Sequence, residues 1–204
     1  MKSHQDNSTL CTPLHLASAK ISDVEIIKYL IKNKSDLNST DKYGSNALHF
    51  ICRYNNANIE IIKYLIESKS NLNLTNKYGS NALHFICRYD YPNIEIIKYL
   101  IESKSDLNSI NNNGSNALHF ICRNNNTNIE IIKYLIESKL DLNSKDNDGW
   151  NALHFICKYD TNIEIIKYLI ENKSDLNSVT KKNETIYDLI RQNQILKKVK
   201  KQIK

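Results

Sequence analysis

Apolar residues fall into two short helical patterns that alternate along the chain. The first, at residues 47–52, places leucine, phenylalanine, isoleucine and cysteine close together behind an asparagine. In the second, at residues 58–66, apolar side chains at i, i+1, i+4 and i+5 form one buried stripe of a helix: Ile61, Ile62, Leu65 and Ile66. Asparagine before each cluster is a natural N-cap. The pattern predicts a helix, a turn, a second helix and a projecting polar loop.

The two patterns recur together at a fixed period. Gly-Ser-Asn-Ala-Leu-His-Phe-Ile-Cys-Arg occurs unchanged at residues 44–53, 79–88 and 114–123, and successive copies are 35 residues apart. A fourth copy at residues 149–158 has Trp150 in place of the serine and a lysine in place of the arginine. A period of roughly 20 to 50 residues is typical of a repeat array in which each unit packs on its neighbours.

The period divides the chain into five repeats and two ends. The repeats are expected at about 9–40, 41–75, 76–110, 111–145 and 146–179. Residues 1–8 are polar, and we expect them to be flexible. Residues 180–204 resemble a degenerate sixth unit, with a first helix near 184–190 and a lysine-rich second helix with an apolar face formed by Ile195, Leu196, Val199 and Ile203. We expect this segment to be a basic C-terminal cap, because an array must end in a polar face.

The first repeat carries the motif that points to a family. Residues 12–17 read Thr-Pro-Leu-His-Leu-Ala, and the later units repeat the Leu-His pair, Glu-Ile-Ile-Lys-Tyr-Leu-Ile and Asp-Leu-Asn or close variants. In these features residues 9–204 resemble an ankyrin-repeat protein. The resemblance implies an all-α, ankyrin-repeat α-solenoid of helix-turn-helix units with projecting β-hairpin-like loops.

The chain departs from the family pattern in two places. Its 35-residue period is longer than the family's usual repeat, and the excess predicts bulging turns between the helices at residues 54–57, 89–92 and 124–127. Lysine stands where the family has glycine after the second helix. If the backbone there keeps a left-handed conformation, each lysine costs on the order of 1 kcal/mol. The five positions are Lys34, Lys69, Lys104, Lys139 and Lys173.

Composition limits the possible location of the protein. A lysine interrupts each apolar cluster, so no stretch approaches the roughly 18–20 apolar residues of a membrane span. The N-terminus has no apolar core of a secretory signal, so an intracellular, cytoplasmic location is the default expectation, with export by a non-Sec route left open. Abundant Asn, Ile and Lys suggest an AT-rich genome such as that of a parasite or a large virus.

The positive charge lies at one end. Residues 181–204 carry eight Lys or Arg against two acidic residues, which equals the net charge of +6 for the whole chain. A solvated cap explains this charge. The alternative function is a nucleic-acid- or anionic-surface-associated protein that uses the basic tail.

The repeated histidines and cysteines raise the hypothesis of a metal site. His49 and Cys52 share a helix face, and the pair recurs in the later copies. Neighbouring pairs are separated by about a helix spacing, roughly 8–10 Å, which is too far for one zinc ion or for a disulfide. We therefore expect no metal and no cofactor, with buried cysteines and histidines that, as the resemblance implies, hold neighbouring repeats together. No catalytic motif is present, so we expect a protein that is not an enzyme.

The resemblance implies a non-enzymatic protein–protein interaction module that binds along the concave face, made by loop tips and the exposed end of each first helix. Tyrosine, tryptophan and arginine are enriched at binding hot spots. Recent duplication, which copies surface residues whatever their use, is the competing explanation. It does not account for Trp150, which departs from the template. We expect the residue after each repeat glycine to face outward and Trp150 to stand at an exposed position. We expect a monomer and a protein partner, acidic or extended, rather than a nucleic acid; a parasite or viral source would make it a host protein. The expected contact residues are Lys42, Tyr43, Arg53, Tyr54, Lys77, Tyr78, Arg88, Tyr89, Arg123, Trp150, Lys158 and Tyr159.

Overall fold

The computed structural model describes residues 10–20, 23–53, 57–89, 92–124, 127–160 and 162–192. These residues form eleven α-helices and no β-strand beyond a single bridge between Val179 and Thr185. The helices are α1 Pro13–Lys20, α2 Val24–Lys32, α3 Ala47–Cys52, α4 Ile59–Glu67, α5 Ala82–Cys87, α6 Ile94–Glu102, α7 Ala117–Arg123, α8 Ile129–Glu137, α9 Ala152–Tyr159, α10 Ile163–Glu171 and α11 Ile186–Gln192. The all-α repeat fold predicted from the sequence is confirmed.

Helices alternate between a short first helix and a nine-residue second helix, and asparagine begins both kinds as predicted. Asn46 Oδ1 accepts the backbone N–H of His49 at 3.2 Å, and Asn58 Oδ1 accepts that of Glu60 at 2.9 Å. These bonds satisfy N–H groups that have no partner within the helix. In the first repeat the side-chain hydroxyl of Thr12 occupies the equivalent place, 3.4 Å from the N–H of His15.

The core lies between the first and second helices of successive repeats. Ile61, Ile62 and Leu65 are fully buried, and the same positions are buried in the three later second helices. Full burial of such a side chain contributes roughly 1.5–3 kcal/mol. Ile66 is only half-buried, although the sequence pattern places it on the same stripe. It stands at the edge of a stripe centred between Ile61 and Ile62, because each helical residue turns the side chain by about 100°.

The chain separates into two compact units. Unit 1 comprises residues 1–86 and 92–106, and unit 2 comprises residues 87–91 and 107–204. In unit 1, α1 packs against α3, and α4 packs against α2, α3 and α6. In unit 2, α9 packs against α7, α10 and α11. The repeat and cap boundaries given above stay predictions, while α11 lies where the first cap helix was expected.

The projecting loops are hairpin-like in their hydrogen bonds. In the loop before α3, the Asp41 N–H donates to the Ser45 carbonyl at 2.9 Å and the Gly44 N–H donates to the Asp41 carbonyl at 3.0 Å. Gly44 has φ +78°, a left-handed conformation that glycine adopts without strain. Successive loops are joined as well, since the Lys77 N–H donates to the Tyr43 carbonyl at 2.8 Å.

Lysine after each second helix does take the left-handed conformation. The φ angles of the five lysines lie between +63° and +74°. The turn also keeps the hydrogen bonds of a glycine-terminated helix, since the N–H of Lys69 donates to the Ile66 carbonyl at 2.9 Å and that of Ser70 to the Leu65 carbonyl at 3.0 Å. Each repeat therefore carries a strained lysine, at a cost of about 1 kcal/mol.

Some predicted features lie outside the described residues. They are the N-terminal segment 1–8, most of the predicted bulges (residues 54–56, 90–91 and 125–126), and the second cap helix with Ile195, Leu196, Val199 and Ile203.

Candidate functional site

One polar residue at the start of each loop holds the loop's shape. Asp41 Oδ1 accepts the N–H of Tyr43 at 2.9 Å and that of Ser45 at 2.8 Å. Asp146 Oδ1 does the same for Asp148 at 2.9 Å and Trp150 at 2.8 Å. The equivalent residues in the other loops are Asn76, Asn111 and Thr180. Sequence reasoning missed this role. An Asp or Asn three positions before each repeat glycine was the available signal.

The loop tips of unit 1 present an exposed aromatic pair. The rings of Tyr43 and Tyr78 are stacked with centroids 6.3 Å apart. They remain 43% and 59% exposed. Lys42 Nζ lies 5.0 Å from the centroid of the Tyr43 ring. Three predicted contact residues therefore form one cluster, with Lys77 exposed in the second of the two loops.

The corresponding region of unit 2 is a cleft. The Trp150 ring lies 5.1 Å from Phe155 and 6.3 Å from Tyr159, measured between centroids. Next to these rings is a cleft of about 290 Å³. Its lining brings together α7, α9 and the loops before α9 and α11: Arg123, Asp146, Asp148, Trp150, Phe155, Tyr159, Lys181 and Lys182.

The sequence reasoning predicted that the residue after each repeat glycine faces outward. In the structure this position is buried or half-buried where it follows Gly44 and Gly149. Ser45 is 8% exposed and therefore buried. Trp150 is half-buried. The reason is that this residue stands at the base of the loop, where Asp41 binds both the N–H and the carbonyl of Ser45. Trp150 was predicted at an exposed position and is only partly exposed, although its ring still lines the cleft.

The predicted basic residues at the ends of the first helices are exposed. Arg53 belongs to unit 1, whereas Arg88, Arg123 and Lys158 belong to unit 2. Lys158 Nζ donates to Gln192 Oε1 at 3.0 Å. Tyr89 is half-buried, and its carbonyl accepts a hydrogen bond from Asn124 Nδ2. Tyr54 lies outside the described residues.

Histidines of the first helices (the histidine column) bond to backbone carbonyls in the segment between one second helix and the next first helix. His49 Nδ1 accepts the N–H of Asn46 at 3.1 Å, so the ring proton is on Nε2, which donates to the Ser80 carbonyl at 3.0 Å. The Nε2 atoms of His15 and His119 lie at the same distance, 3.0 Å, from the carbonyl oxygens of Ser39 and Ser144, respectively. Burial lowers the pKa of His49 to about 4 and also lowers the pKa values of His15, His119 and His154. These are neutral structural histidines, as the sequence reasoning predicted.

The repeat architecture and its hydrogen bonds agree with a comparison against known protein families. A family model described as "Ankyrin repeats (3 copies)" matches residues 14–111 and 90–180. The chain belongs to the ankyrin-repeat family. Ankyrin repeats are in general protein–protein interaction modules and are typically not enzymes. No curated protein matched the chain in a sequence search.

The cysteines of this ankyrin-repeat chain are part of its core. Cys52, Cys87, Cys122 and Cys157 are buried and Cys11 is half-buried, and no disulfide joins any of the five. Burial raises the pKa of the Cys52 thiol to about 12, which keeps it protonated. Within the described residues, no group of three or more His, Cys, Asp or Glu side chains could hold a metal ion. No helix there combines the length and the apolar character needed to cross a membrane.

A second set of contacts between ankyrin repeats was missed in the sequence. Asn38 Oδ1 accepts the N–H of Asn71 at 2.6 Å. The asparagines of the next three equivalent segments repeat this contact, with Asn73 to Asp106 in unit 1, and Asn108 to Asp141 and Asn143 to Asp175 in unit 2. The periodic asparagine was the available signal, but a side chain that bonds about 33 residues away leaves no local pattern.

Proposed function

We propose that this ankyrin-repeat protein binds a partner protein through its loop tips and the exposed ends of its first helices. The observation that carries the proposal is the exposed, stacked Tyr43–Tyr78 pair, with Lys42 Nζ over the Tyr43 ring. Aromatic side chains on a surface offer a large contact area, and tyrosine is enriched at hot spots. A partner that covers this pair removes apolar ring surface from water.

The loops that present these rings are held in shape before a partner arrives. Asp41 and Asn76 each bind two backbone N–H groups of their own loop, and the Lys77 N–H joins the two loops. An ordered surface loses less conformational entropy on binding than a disordered loop. This supports a binding role for the tips.

Duplication remains the competing explanation for repeated surface residues, and the copies themselves argue against it. The segment Asn-Ala-Leu-His-Phe-Ile-Cys is identical in four repeats. The two residues before the glycine change from Lys-Tyr in two loops to Asn-Asn and Asn-Asp in the next two. The tips have therefore diverged while the scaffold has not, which fits selection acting on what the tips contact.

Site-specific cross-linking tests which surface the partner uses. A photoreactive amino acid replaces Tyr43, Tyr78 or Tyr159 in separate variants of the full chain, expressed in the native or host cell. Tyr29 on α2 is the matched control, because it is also a highly exposed tyrosine but lies on a second helix. We expect the two loop-tip positions and Tyr159, at the end of α9, to cross-link to the same protein and Tyr29 to give no product. Cross-links to a protein from Tyr29 alone would show that the second-helix face is used instead.

The basic residues are tested by a triple substitution. Arg53→Ala, Arg88→Ala and Arg123→Ala change exposed side chains. Arg53 is the C-cap of α3, but its backbone N–H makes the cap hydrogen bond, to the Phe50 carbonyl, and alanine keeps that group. We expect the partner identified by cross-linking to be lost from a pull-down while the far-UV circular dichroism is unchanged. Full recovery of that partner would contradict the role of the arginines. A host protein as partner, a monomeric state and an intracellular location stay predictions.

A further inference from the structure

We infer that the cleft of unit 2 is an anchor site for an acidic peptide segment that lays an aromatic or large aliphatic side chain on Trp150. The inference rests on the proposed function, and it specifies the kind of partner segment that binds in this cleft. The observations that carry it are the cleft, its aromatic floor and three exposed cations on its rim.

The cleft exists because unit 2 departs from the repeated template. Trp150 replaces the serine found in the three earlier copies, and Asp148 takes the place of Tyr43, Tyr78 or Asn113. The next loop comes from the degenerate end of the array. Its Lys181 N–H donates to the Asp148 carbonyl at 2.8 Å, which brings Lys181 and Lys182 to the rim.

The aromatic residues form a platform and leave no slot between them. The Trp150 and Tyr159 rings are stacked at 6.3 Å, with an interplanar angle of 29°. A third flat group needs about 3.5 Å on each of its faces, so it does not fit between them. Phe155 is 7% exposed and supports the platform from below. A ligand must therefore lie on the rings, as a peptide side chain does.

The size of the cleft favours a side chain over a cofactor. Its volume of about 290 Å³ is at the lower limit of the roughly 300–1,000 Å³ that enclose a drug-sized ligand. A single large side chain and part of its backbone fill such a space. The cleft thus suits one anchor residue of a longer segment.

The charges on the rim favour an anionic segment. Arg123, Lys181 and Lys182 are exposed, and none of them forms an ion pair with another described residue. The Asp146 carboxylate accepts two backbone N–H groups of its own loop, and Asp148 adds one exposed negative charge. The rim therefore carries three cations and two carboxylates, and its net charge is positive. One of the two carboxylates, that of Asp146, is already bound to its own loop. Acidic residues beside the anchor complement that charge.

Packing of Trp150 against α9 is the alternative explanation, and the platform can serve both roles. A purely structural role predicts that no peptide binds in the cleft, so that an added peptide leaves the Trp150 emission unchanged. Trp150 is the only tryptophan of the chain, so its fluorescence reports on this cleft alone.

The test uses the full chain and capped peptides of defined sequence. The probe is Gly-Asp-Glu-Phe-Asp-Glu-Gly with a fluorescein label for anisotropy, and unlabelled for Trp150 emission. One control peptide replaces every acidic residue by lysine, and another replaces the phenylalanine by alanine. Arg123→Glu is the test variant, and Lys167→Glu is its matched control, an identical charge change on an exposed residue of α10 outside the cleft.

We expect the acidic peptide to shift the Trp150 emission and to bind more weakly as salt rises. Arg123→Glu and the alanine control peptide should each weaken binding roughly tenfold, the size expected for losing one charge pair or one buried anchor. Lys167→Glu should change affinity much less, and the lysine peptide should not bind.

Three results would overturn the inference. One is equal binding of the lysine peptide, and a second is displacement of the peptide by oligothymidylate at the same concentration, which would indicate a nucleic-acid surface. The third is unchanged anisotropy binding in Trp150→Ser, a variant that restores the residue of the other copies. In each case the cross-linking result at Tyr43 and Tyr78 in unit 1 still decides the proposed function separately.

Discussion

The loop tips of unit 1 and unit 2 share one backbone and differ in what they present. Asp41 and Asp146 each hold their loop with two hydrogen bonds of 2.8–2.9 Å. Gly44 and Gly149 have φ angles of +78° and +80°. On this common turn unit 1 carries an exposed Tyr43–Tyr78 stack, whereas unit 2 carries Trp150 at the base of the loop beside a cleft.

This difference indicates that some positions of the loop determine its backbone conformation and other positions determine the surface that it presents. The Asp or Asn and the glycine set the turn, so the residues between and after them are free to change. What a changed residue becomes depends on the loop that follows. Ser45 lies under the next loop, where Asn76 Nδ2 donates to its hydroxyl at 3.5 Å. Trp150 is followed by the loop of Thr180, Lys181 and Lys182.

The largest expected effect concerns the scaffold that both tips share. The buried histidines have pKa values below the ordinary 6.5, about 4 for His49. The unfolded chain therefore binds protons between pH 6.5 and about 4 that the folded chain does not bind. The contribution of the neutral histidines to the free energy of unfolding is fully present above pH 6.5 and is lost as the pH is lowered towards 4. His49 alone accounts for a loss of about 3 kcal/mol.

Urea unfolding followed by circular dichroism across this pH range measures the loss. His49→Gln, which lacks the titrating group, should be less stable at neutral pH and should show a shallower pH dependence. Because His15, His49, His119 and His154 all have lowered pKa values, both units should lose stability in acid. A stability that is flat from pH 6.5 to 4 would show that the column is not buried and neutral in solution.

An exchange of the residues that follow the repeat glycine, Ser45 and Trp150, tests the comparison itself. Trp150→Ser should reduce the free energy of unfolding by roughly 1 kcal/mol, because the ring contacts to Phe155 and Tyr159 are lost. Ser45→Trp should cost more, roughly 1–3 kcal/mol, because the buried serine site has no room for an indole.

Denaturant unfolding of the two variants and of the double variant gives these values. Near-additive effects are expected, because the described hydrogen-bond and ring partners of Ser45 and Trp150 are different residues. If Ser45→Trp is as stable as the parent chain, the bases of the two loops offer equal room. The contrast between the units would then lie only in the residue type.

The smallest expected effect concerns the turns away from the tips, where the units should behave alike. Lys69 in unit 1 and Lys139 in unit 2 have φ angles of +74° and +71°. Replacing either by glycine removes strain and should raise the free energy of unfolding by roughly 0.5–1 kcal/mol.

Equal gains from Lys69→Gly and Lys139→Gly would confine the difference between the units to the tips and cleft. Lys63→Gly, inside α4, is the control and should destabilise by about 1 kcal/mol, since glycine is unfavourable within a helix. A gain in one unit only would show that the difference extends into the second helices.

Much of the fold follows from local sequence. Asn46 caps a helix because its side chain reaches an N–H three residues later. Lys69 takes its conformation from a turn whose hydrogen bonds join residues three and five positions apart. Such interactions recur with the period and are visible in each copy. The histidine column was also predictable, since the family resemblance assigns its role.

The candidate site depended on distant neighbours. The exposure of Tyr43 and Tyr78 and their stacking depend on two loops 35 residues apart in sequence, and the cleft joins residues from 123 to 182.

By itself the sequence determined the period, the helices, the caps and the departure at Trp150, because each rests on short-range periodicity or on one substituted residue. Only the tertiary structure decided that Ser45 is buried and that Trp150 lines a cleft with Arg123 and Lys181. Those properties belong to the space between repeats, which no single repeat encodes.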